Sequence, residues 1–167
     1  SSYTDSPLST NISYTYIVGA RNGYGLRNNS TSASNFTLAA QPTGLVVTAP
    51  SNSSLSLTWS NASNPAGTLI DIYRNTALIA TVAASSYTDS PLSTNISYTY
   101  IVGARNGYGL RNNSTSASNF TLAAVPASLA ANTFNTTRID VSWQPNSNPA
   151  NTLYELFRNT TSVYTGT

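Results

Sequence analysis

Few side chains in this 167-residue chain could act as acids, bases or metal ligands. The absence of His and Cys excludes an imidazole base, a thiol nucleophile, a disulfide and the usual zinc ligands. The only carboxylates are those of Asp5, Asp71, Asp89, Asp140 and Glu155. A glycosidase needs two carboxylates that face each other, and a calcium site needs several close together. The spacing offers neither, so we expect no catalytic residue, no metal site and no cofactor.

Two of these carboxylates have a structural interpretation. Asp71 lies between Ile70 and Ile72, which predicts that it points to solvent from a half-buried strand. Asp89 stands in Thr-Asp-Ser-Pro, a turn sequence in which Asp bonds to local backbone amides. The segment Arg-Asn-Gly-Tyr-Gly at 105–109 looks like a phosphate loop, but it joins two strands and begins no helix. We therefore expect it to be a turn.

Asparagine side chains carry the one modification motif that exceeds its expected frequency, and the excess is modest. Twelve of them stand in Asn-x-Ser/Thr sequons, which accept N-linked glycans on exposed positions of secreted proteins. We expect several to carry glycan in an organism that has the machinery. The candidate sites are Asn11, Asn28, Asn29, Asn35, Asn52, Asn61, Asn95, Asn112, Asn113, Asn119, Asn135 and Asn159.

The composition is polar but almost uncharged. Ser, Thr and Asn account for 70 residues, whereas charged residues are 7%, against roughly 25% in ordinary domains. Seven scattered Arg residues and a net charge of +2 form no basic stripe, so we expect no nucleic-acid partner. No apolar run approaches the ~18 residues of a membrane span. An uncharged polar surface suits an extracellular or cell-surface protein, although the lack of Cys leaves the redox compartment open.

An internal repeat decides how the chain is organised. Residues 1–40 recur letter for letter as 85–124, an offset of 84 residues. The same offset aligns 41–76 with 125–160 without a gap, placing Trp59 on Trp143. Tandem identity of this kind indicates an array. We predict three parts: the C-terminal half of one repeat at 1–40, a complete repeat at 41–124, and the N-terminal half of another at 125–167.

Within the complete repeat, apolar residues alternate with polar ones, as in half-buried strands. Leu55, Leu57 and Trp59 alternate with Ser56 and Thr58, and no stretch holds a helical period. Seven short strands separated by turns predict a two-sheet antiparallel sandwich. The runs that we assign to strands include 45–47, 55–59, 70–73, 78–82, 98–105 and 117–122.

Here the sequence resembles a known family. Along its whole length the repeat is similar to a fibronectin type III domain, with the early Pro42 and Trp59 in the second strand. The phrases at 72–75, 79–82 and 86–89 look like versions common in secreted microbial proteins. The resemblance implies an all-β chain of tandem seven-stranded antiparallel immunoglobulin-like β-sandwiches.

The most specific part of the resemblance is a tyrosine motif. Tyr98-x-Tyr-x-Val-x-Ala-x-Asn-x-x-Gly follows Leu92 by six residues, and the pattern recurs from Leu8 and Tyr14. In the family this spacing forms a tyrosine corner, in which the hydroxyl bonds to backbone near the Leu. The resemblance thus implies a set of structural core residues: Trp59, Trp143, Tyr14, Tyr98, Leu8 and Leu92.

The two partial repeats leave two explanations open. The chain is either a window on a longer array, or copies join head to tail, with 125–167 of one completing 1–40 of the next by strand complementation. The partners expected are therefore further copies of itself, together with covalent glycans. In either case the link at 123–126 has almost no slack, which predicts a semi-rigid relation between repeats.

These features favour a non-enzymatic extracellular structural protein: a filament, stalk or sheath. The alternative is an accessory or carbohydrate-binding spacer of a secreted glycan-degrading enzyme, and a further one is the stalk of an adhesin. Tyr73, Tyr108 and Phe157 are expected outside the core and could stack on sugar rings. The chain contains no Arg-Gly-Asp, so the family's best-known integrin-binding signal is missing.

Overall fold

The computed structural model describes all 167 residues and contains sixteen strands and no helix. Accordingly, the chain has no helix that could cross a membrane. The strands are β1 (Ser13–Tyr16), β2 (Gly19–Arg21), β3 (Arg27–Asn29), β4 (Ala33–Phe36), β5 (Thr43–Thr48), β6 (Leu55–Ser60), β7 (Ile70–Arg74), β8 (Ala77–Val82), β9 (Ser86–Asp89), β10 (Ser97–Arg105), β11 (Arg111–Asn113), β12 (Ala117–Phe120), β13 (Ala127–Asn135), β14 (Arg138–Gln144), β15 (Tyr154–Arg158) and β16 (Thr161–Gly166).

The central repeat begins with a three-stranded sheet in the order β5-β6-β9. In β6, Leu55, Leu57 and Trp59 are buried while the residues between them are not. This alternation follows from the pleat of a strand, which sends successive side chains to opposite faces. The Trp59 indole donates to the Asn61 Oδ1 at 2.8 Å, so its polar group is satisfied at the edge of the core.

The second sheet of the central repeat has the order β11-β10-β7-β8, with β12 also on β10. The β7–β10 register places Val102 opposite Ile72 and Ala104 opposite Ile70, and all four side chains are fully buried. Burial of the valine and isoleucine side chains contributes about 1.5–3 kcal/mol each. The antiparallel all-β architecture that the alternation predicts is confirmed.

The last strand of the repeat is interrupted, which gives eight strands where the sequence predicts seven. β11 and β12 are separate because Ser114 breaks the ladder. Its backbone N–H donates to the Val102 carbonyl at 2.8 Å, and its hydroxyl accepts from the Val102 N–H at 3.1 Å. A side chain thus supplies one of the two bonds that a continuous strand would make through its backbone.

Of the six residues expected in the structural core, Trp59 alone is buried, and Trp143, Tyr14, Tyr98, Leu8 and Leu92 are half-buried. For the tyrosines, the reason is the bond that each hydroxyl makes near the surface. The Ser93 N–H donates to the Tyr98 hydroxyl at 3.1 Å. The equivalent bond from Ser9 to Tyr14 is 3.0 Å.

Asp71 corrects the sequence interpretation. It was expected to face solvent, but its side chain is fully buried. The register shows why: Asp71 lies opposite Thr81 on one neighbouring strand and Gly103 on the other. Arg105 covers the carboxylate, with its Nε 2.7 Å from the Asp71 Oδ2, so both faces of β7 are buried over Ile70–Ile72.

By internal contacts the chain divides into two compact units. The first comprises Ser1–Val46, Thr58–Tyr87 and Thr99–Ala117, and the second comprises Val47–Leu57, Thr88–Tyr98 and Ser118–Thr167. The repeat boundaries at 40 and 124 follow sequence identity instead and stay predictions.

Outside the central repeat all sheets are two-stranded. Segment 1–40 forms β1-β4 and β2-β3, and segment 125–167 forms β13-β14 and β15-β16. Their apolar side chains are largely exposed: Val18 is 76% exposed and Ile139 is 64% exposed. These segments therefore form paired strands but no hydrophobic core of their own.

Candidate functional site

The link from segment 1–40 to the central repeat is fixed by one side chain. The Asn64 amide accepts from the Ala40 N–H at 2.7 Å and donates to the Ala40 carbonyl at 2.8 Å. It also donates to the Asn61 carbonyl at 2.8 Å. One acceptor and two donors of the amide are thus in use. Asn64 pairs with the linker as the backbone of a neighbouring strand would.

The next link repeats this arrangement bond for bond at an offset of 84 residues. Asn148 accepts from the Ala124 N–H at 2.7 Å and donates to the Ala124 carbonyl at 2.8 Å. Its third bond goes to the Pro145 carbonyl at 2.8 Å. Asn148 is buried, and its two bonds to Ala124 are shielded from competing water. We call this three-bond arrangement the asparagine lock.

A second asparagine reinforces each lock. The Asn11 amide donates to the Thr68 hydroxyl at 3.0 Å and to the Arg105 carbonyl at 3.2 Å. Its copy, Asn95, donates to the Thr152 hydroxyl at 2.9 Å. Both asparagines have positive φ, 54° and 52°, a conformation that Asn tolerates better than most residues.

An aromatic contact completes the first junction. The Phe36 and Tyr108 rings meet edge to face, with centroids 5.2 Å apart. The Phe36 ring also lies directly against Gly107, where a Cβ would overlap it. The segment 105–109 is a turn, as expected, closed by the Gly109 N–H bonding to the Asn106 carbonyl at 2.9 Å. Its glycine serves close packing at the junction.

A groove of about 500 Å³ lies beside this contact. Its walls include Phe36, Pro65, Gly67 and Asn106, and Arg105 borders it. The Arg105 guanidinium is engaged by Asp71, at 2.7 Å between Nε and Oδ2. The one charged side chain that borders the groove is therefore already paired.

Asp71 forms the strongest electrostatic feature of the chain. Its carboxylate accepts from the Thr81 hydroxyl at 2.7 Å and from both Arg105 and Arg111. Burial acts to raise the pKa of this carboxyl, but the bonds from Arg105, Thr81 and Arg111 together hold it below its usual value. The bond to Asp71 also raises the pKa of Arg111. Charged partners thus keep the buried group ionised.

The carboxylates of Asp5 and Asp140 join no such cluster. Asp140 bonds to Arg138 at 2.7 Å on the surface, and Asp5 accepts from the Tyr16 hydroxyl at 3.0 Å. Burial, followed by the bond to Asp5, raises the pKa of Tyr16. No three His, Cys, Asp or Glu side chains group as metal ligands would.

The sequons divide into three groups. Four use the amide nitrogen that would carry a glycan: Asn11 and Asn95 in the junctions, Asn112 to the Ala39 carbonyl at 3.1 Å, and Asn119 to the Val47 carbonyl at 2.8 Å. Asn61 is half-buried, and its oxygen accepts the Trp59 indole. The exposed sequons are Asn28, Asn29, Asn35, Asn52, Asn113, Asn135 and Asn159.

Sequence reasoning placed the sequons but did not single out Asn64 or Asn148. The available signal was the recurrence of Asn-Pro-Ala at the 84-residue offset. Of the three aromatics expected outside the core, Tyr108 and Phe157 are exposed and Tyr73 is half-buried. Tyr108 is committed to the junction through Phe36.

Comparison with known proteins gives relatives among polymer-degrading enzymes. The chain is 30% identical over 161 residues to exoglucanase A of Cellulomonas fimi, covering 87% of this chain and 18% of that protein. It is 34% identical over 143 residues to chitinase A1 of Niallia circulans, covering 79% and 20%. The chain thus spans about a fifth of the length of these relatives. No family model matches.

Among solved structures, a domain of human fibronectin type III domain containing protein 3 matches with 22% identity and a TM-score of 0.46. This match covers 50% of this chain and 86% of that one. The structure called FN3tt matches with 28% identity and a TM-score of 0.42, covering 48% and 91%. The first of these structures is a fibronectin type III domain, the family that the sequence resembles. The asparagine locks lie at the predicted boundaries between repeats, at Ala40 and Ala124.

Proposed function

We propose that this chain is a non-catalytic spacer in an extracellular protein that degrades an insoluble polymer. The observation that carries the proposal is the recurrence of the asparagine lock at Asn64 and Asn148. A bond pattern that repeats with the sequence lets duplication lengthen the array without a new interface. The similarity to an exoglucanase, a chitinase and a poly(3-hydroxybutyrate) depolymerase supports the setting.

The lock acts on a linker that is already short. The polar groups of Ala40 bond to Asn64, and Pro42, just beyond, is buried. Each hydrogen bond contributes about 1 kcal/mol net, so the lock and the Asn11 bonds together oppose free rotation at the link. A spacer of this kind holds neighbouring domains apart at a defined distance.

The spacer role is tested by measuring how widely the inter-repeat distance is distributed. Because the chain has no Cys, spin labels can be attached through Ser32→Cys and Ala83→Cys, both at exposed positions. Double electron–electron resonance should give a narrow distribution of the distance between the two labels. The variant Asn64→Ala should broaden it, and Asn52→Ala, a control at an exposed position, should leave it unchanged. A distribution that is already broad, or one that Asn64→Ala leaves unchanged, would contradict the proposal.

Co-sedimentation with insoluble cellulose and chitin separates a spacer from a carbohydrate-binding segment. A spacer stays in the supernatant at all loadings. Retention that Phe157→Ala and Tyr73→Ala abolish would instead establish sugar binding by these rings.

A second candidate is an extracellular filament, stalk or sheath, including the stalk of an adhesin. The observation that favours it is the letter-for-letter recurrence of residues 1–40 as 85–124, because duplication lengthens an array without needing a new interface. In either role the exposed sequons are proposed as glycan acceptors. Mass spectrometry that finds no glycan on any of them would contradict this proposal.

A further inference from the structure

Two arginines of the central repeat lie side by side on one face of its sheet. In the β10–β11 register Arg105 is directly opposite Arg111, so the two side chains point to the same face. The pairing belongs to the repeat itself, because the copies Arg21 and Arg27 are also opposite each other in β2 and β3. Like charges in directly opposed positions repel each other, so the pair has to be stabilised by an anion.

That anion is Asp71 on the neighbouring strand β7, and it neutralises only half of the charge. The Nε atoms of Arg105 and Arg111 both bond to the same oxygen of Asp71, Oδ2. The other oxygen accepts from the Thr81 hydroxyl at 2.7 Å. Because arginine stays protonated in proteins, two guanidinium groups share one carboxylate. The cluster therefore carries one positive charge in excess.

The two guanidinium groups lie between the buried acid and the solvent. The Asp71 side chain is fully buried, whereas the side chain of Arg105 is 28% exposed and that of Arg111 is 40% exposed. A guanidinium group has five N–H donors, and both bonds to Asp71 use Nε. The terminal Nη groups of the two arginines are therefore left for a ligand. We call these two side chains the arginine pair.

An aromatic ring lies on the same face as the arginine pair. Tyr73 follows Asp71 by two positions on β7, and the β7–β10 register continues without a shift from one to the other, so both side chains point to the same face. The bond to Asp71 and, more weakly, the nearby Tyr73 raise the pKa of Arg111. Tyr73 is half-buried, which leaves part of it accessible. This face thus combines a site for a carboxylate with a ring on which a sugar can stack.

We propose that the Nη groups of Arg105 and Arg111 bind a carboxylate of an acidic polysaccharide, while Tyr73 contacts the sugar ring that carries it. Guanidinium and carboxylate groups form paired, charge-assisted hydrogen bonds. A bound uronate gives the cluster two negative charges against two positive ones, which balances the repulsion between the arginines. Because cellulose and chitin carry no carboxylate, this binding is independent of the spacer role, and the failure of either leaves the other standing.

Titration of the unmodified chain with trigalacturonate, followed through the arginine Nε–Hε signals in NMR spectra, tests the site. The signals of Arg105 and Arg111 should shift and reach saturation. Those of Arg138 and Arg158, which are both exposed, should not. Cellotriose, which has no carboxylate, should shift none of them. The proposal is overturned if Arg105 and Arg111 show no saturable shift, or if all four signals shift alike.

Two variants that each remove one positive charge separate the arginine pair from general attraction to a polyanion. Binding to immobilised polygalacturonate is measured by surface plasmon resonance at low salt. Arg111→Gln should weaken it at least about fivefold, and Asp71 keeps Arg105 and Thr81 as partners, so the fold is retained. Arg158→Gln, the control at an exposed position, should weaken it less than about twofold. Equal losses in the two variants would contradict a site at the arginine pair.

Poly-L-glutamate separates an acidic polysaccharide from an acidic peptide, because it offers carboxylates without sugar rings. Polygalacturonate should bind more tightly in the same measurement. Tyr73→Leu keeps an apolar side chain in place of the ring, and it should weaken binding of polygalacturonate while leaving that of poly-L-glutamate unchanged. Binding of poly-L-glutamate that is as tight or tighter, or an affinity for polygalacturonate that Tyr73→Leu leaves unchanged, would overturn the polysaccharide as the ligand.

Discussion

Segments 1–40 and 85–124 have identical sequences and different structures. In the second, β10 runs unbroken over Ser97–Arg105, with Tyr100, Val102 and Ala104 fully buried. In the first, the same residues form two short strands, Ser13–Tyr16 and Gly19–Arg21, that are mostly exposed. The strand propensity of the residues is the same in both segments, so the difference comes from the strands that lie beside each copy.

The neighbour that matters most is β7. It pairs with five residues of β10, from Tyr100 to Ala104, and covers the point at which the first copy breaks. Strand preference describes the fit of a residue to a pleated, half-buried surface, and that surface has to be present. Completion by a partner strand therefore decides both the length of this strand and the fate of its side chains.

The largest effect should come from placing one charge in each copy. Val102→Asp buries an unpaired carboxylate and should lower the free energy of unfolding of the central repeat by more than about 4 kcal/mol. Val18→Asp should change it by less than about 0.5 kcal/mol in dilute solution, since Val18 is exposed. Urea unfolding followed by Trp59 fluorescence in a Trp143→Phe background measures both. Similar losses of unfolding free energy in the two variants would contradict the difference between the two copies.

Removing the buried carboxylate of Asp71 should have the next largest effect. Asp71→Asn leaves Arg105 and Arg111 without their buried partner and should cost about 3 kcal/mol at neutral pH. Segment 1–40 has the same two arginines, Arg21 and Arg27, but no acid beside them, so it should contribute no comparable stabilisation.

The same variant has a defined pH dependence. Because the pKa of Asp71 is lowered by folding, its stabilisation is fully present above the ordinary Asp value of about 3.9 and is lost as pH falls through the lowered pKa. The stability difference between the unmodified chain and Asp71→Asn should therefore shrink below about pH 4. A difference that is constant from pH 7 to pH 2 would refute this role.

A smaller effect separates two glycines at equivalent positions. Gly107 lies against the Phe36 ring, whereas a Cβ at Gly23 would have nothing within 4 Å. Gly107→Ala should cost about 1 kcal/mol by displacing Phe36 from Tyr108. Gly23→Ala should be nearly neutral in thermal unfolding. Equal shifts in Tm would show that the aromatic contact does not hold the junction.

The sequence predicted what depends on local pattern. Alternation in Leu55, Leu57 and Trp59 placed β6 correctly, and the tyrosine spacing matches the observed bond from Ser93 to Tyr98. It could not predict the burial of Asp71, because that depends on Arg105 and Arg111, which are far away along the chain. The asparagine locks could not be predicted for the same reason, because Asn64 bonds to Ala40, which lies 24 residues before it.

Amide hydrogen exchange by NMR at Val18 and Val102 tests the central claim most directly. Both amides donate to a serine hydroxyl, Val18 to Ser30 at 3.0 Å and Val102 to Ser114 at 3.1 Å, so their hydrogen bonds are matched. The Val102 amide should be strongly protected and the Val18 amide should exchange freely, because Val102 is buried under β7 and Val18 is exposed. Equal protection of the two amides at low concentration would contradict the account.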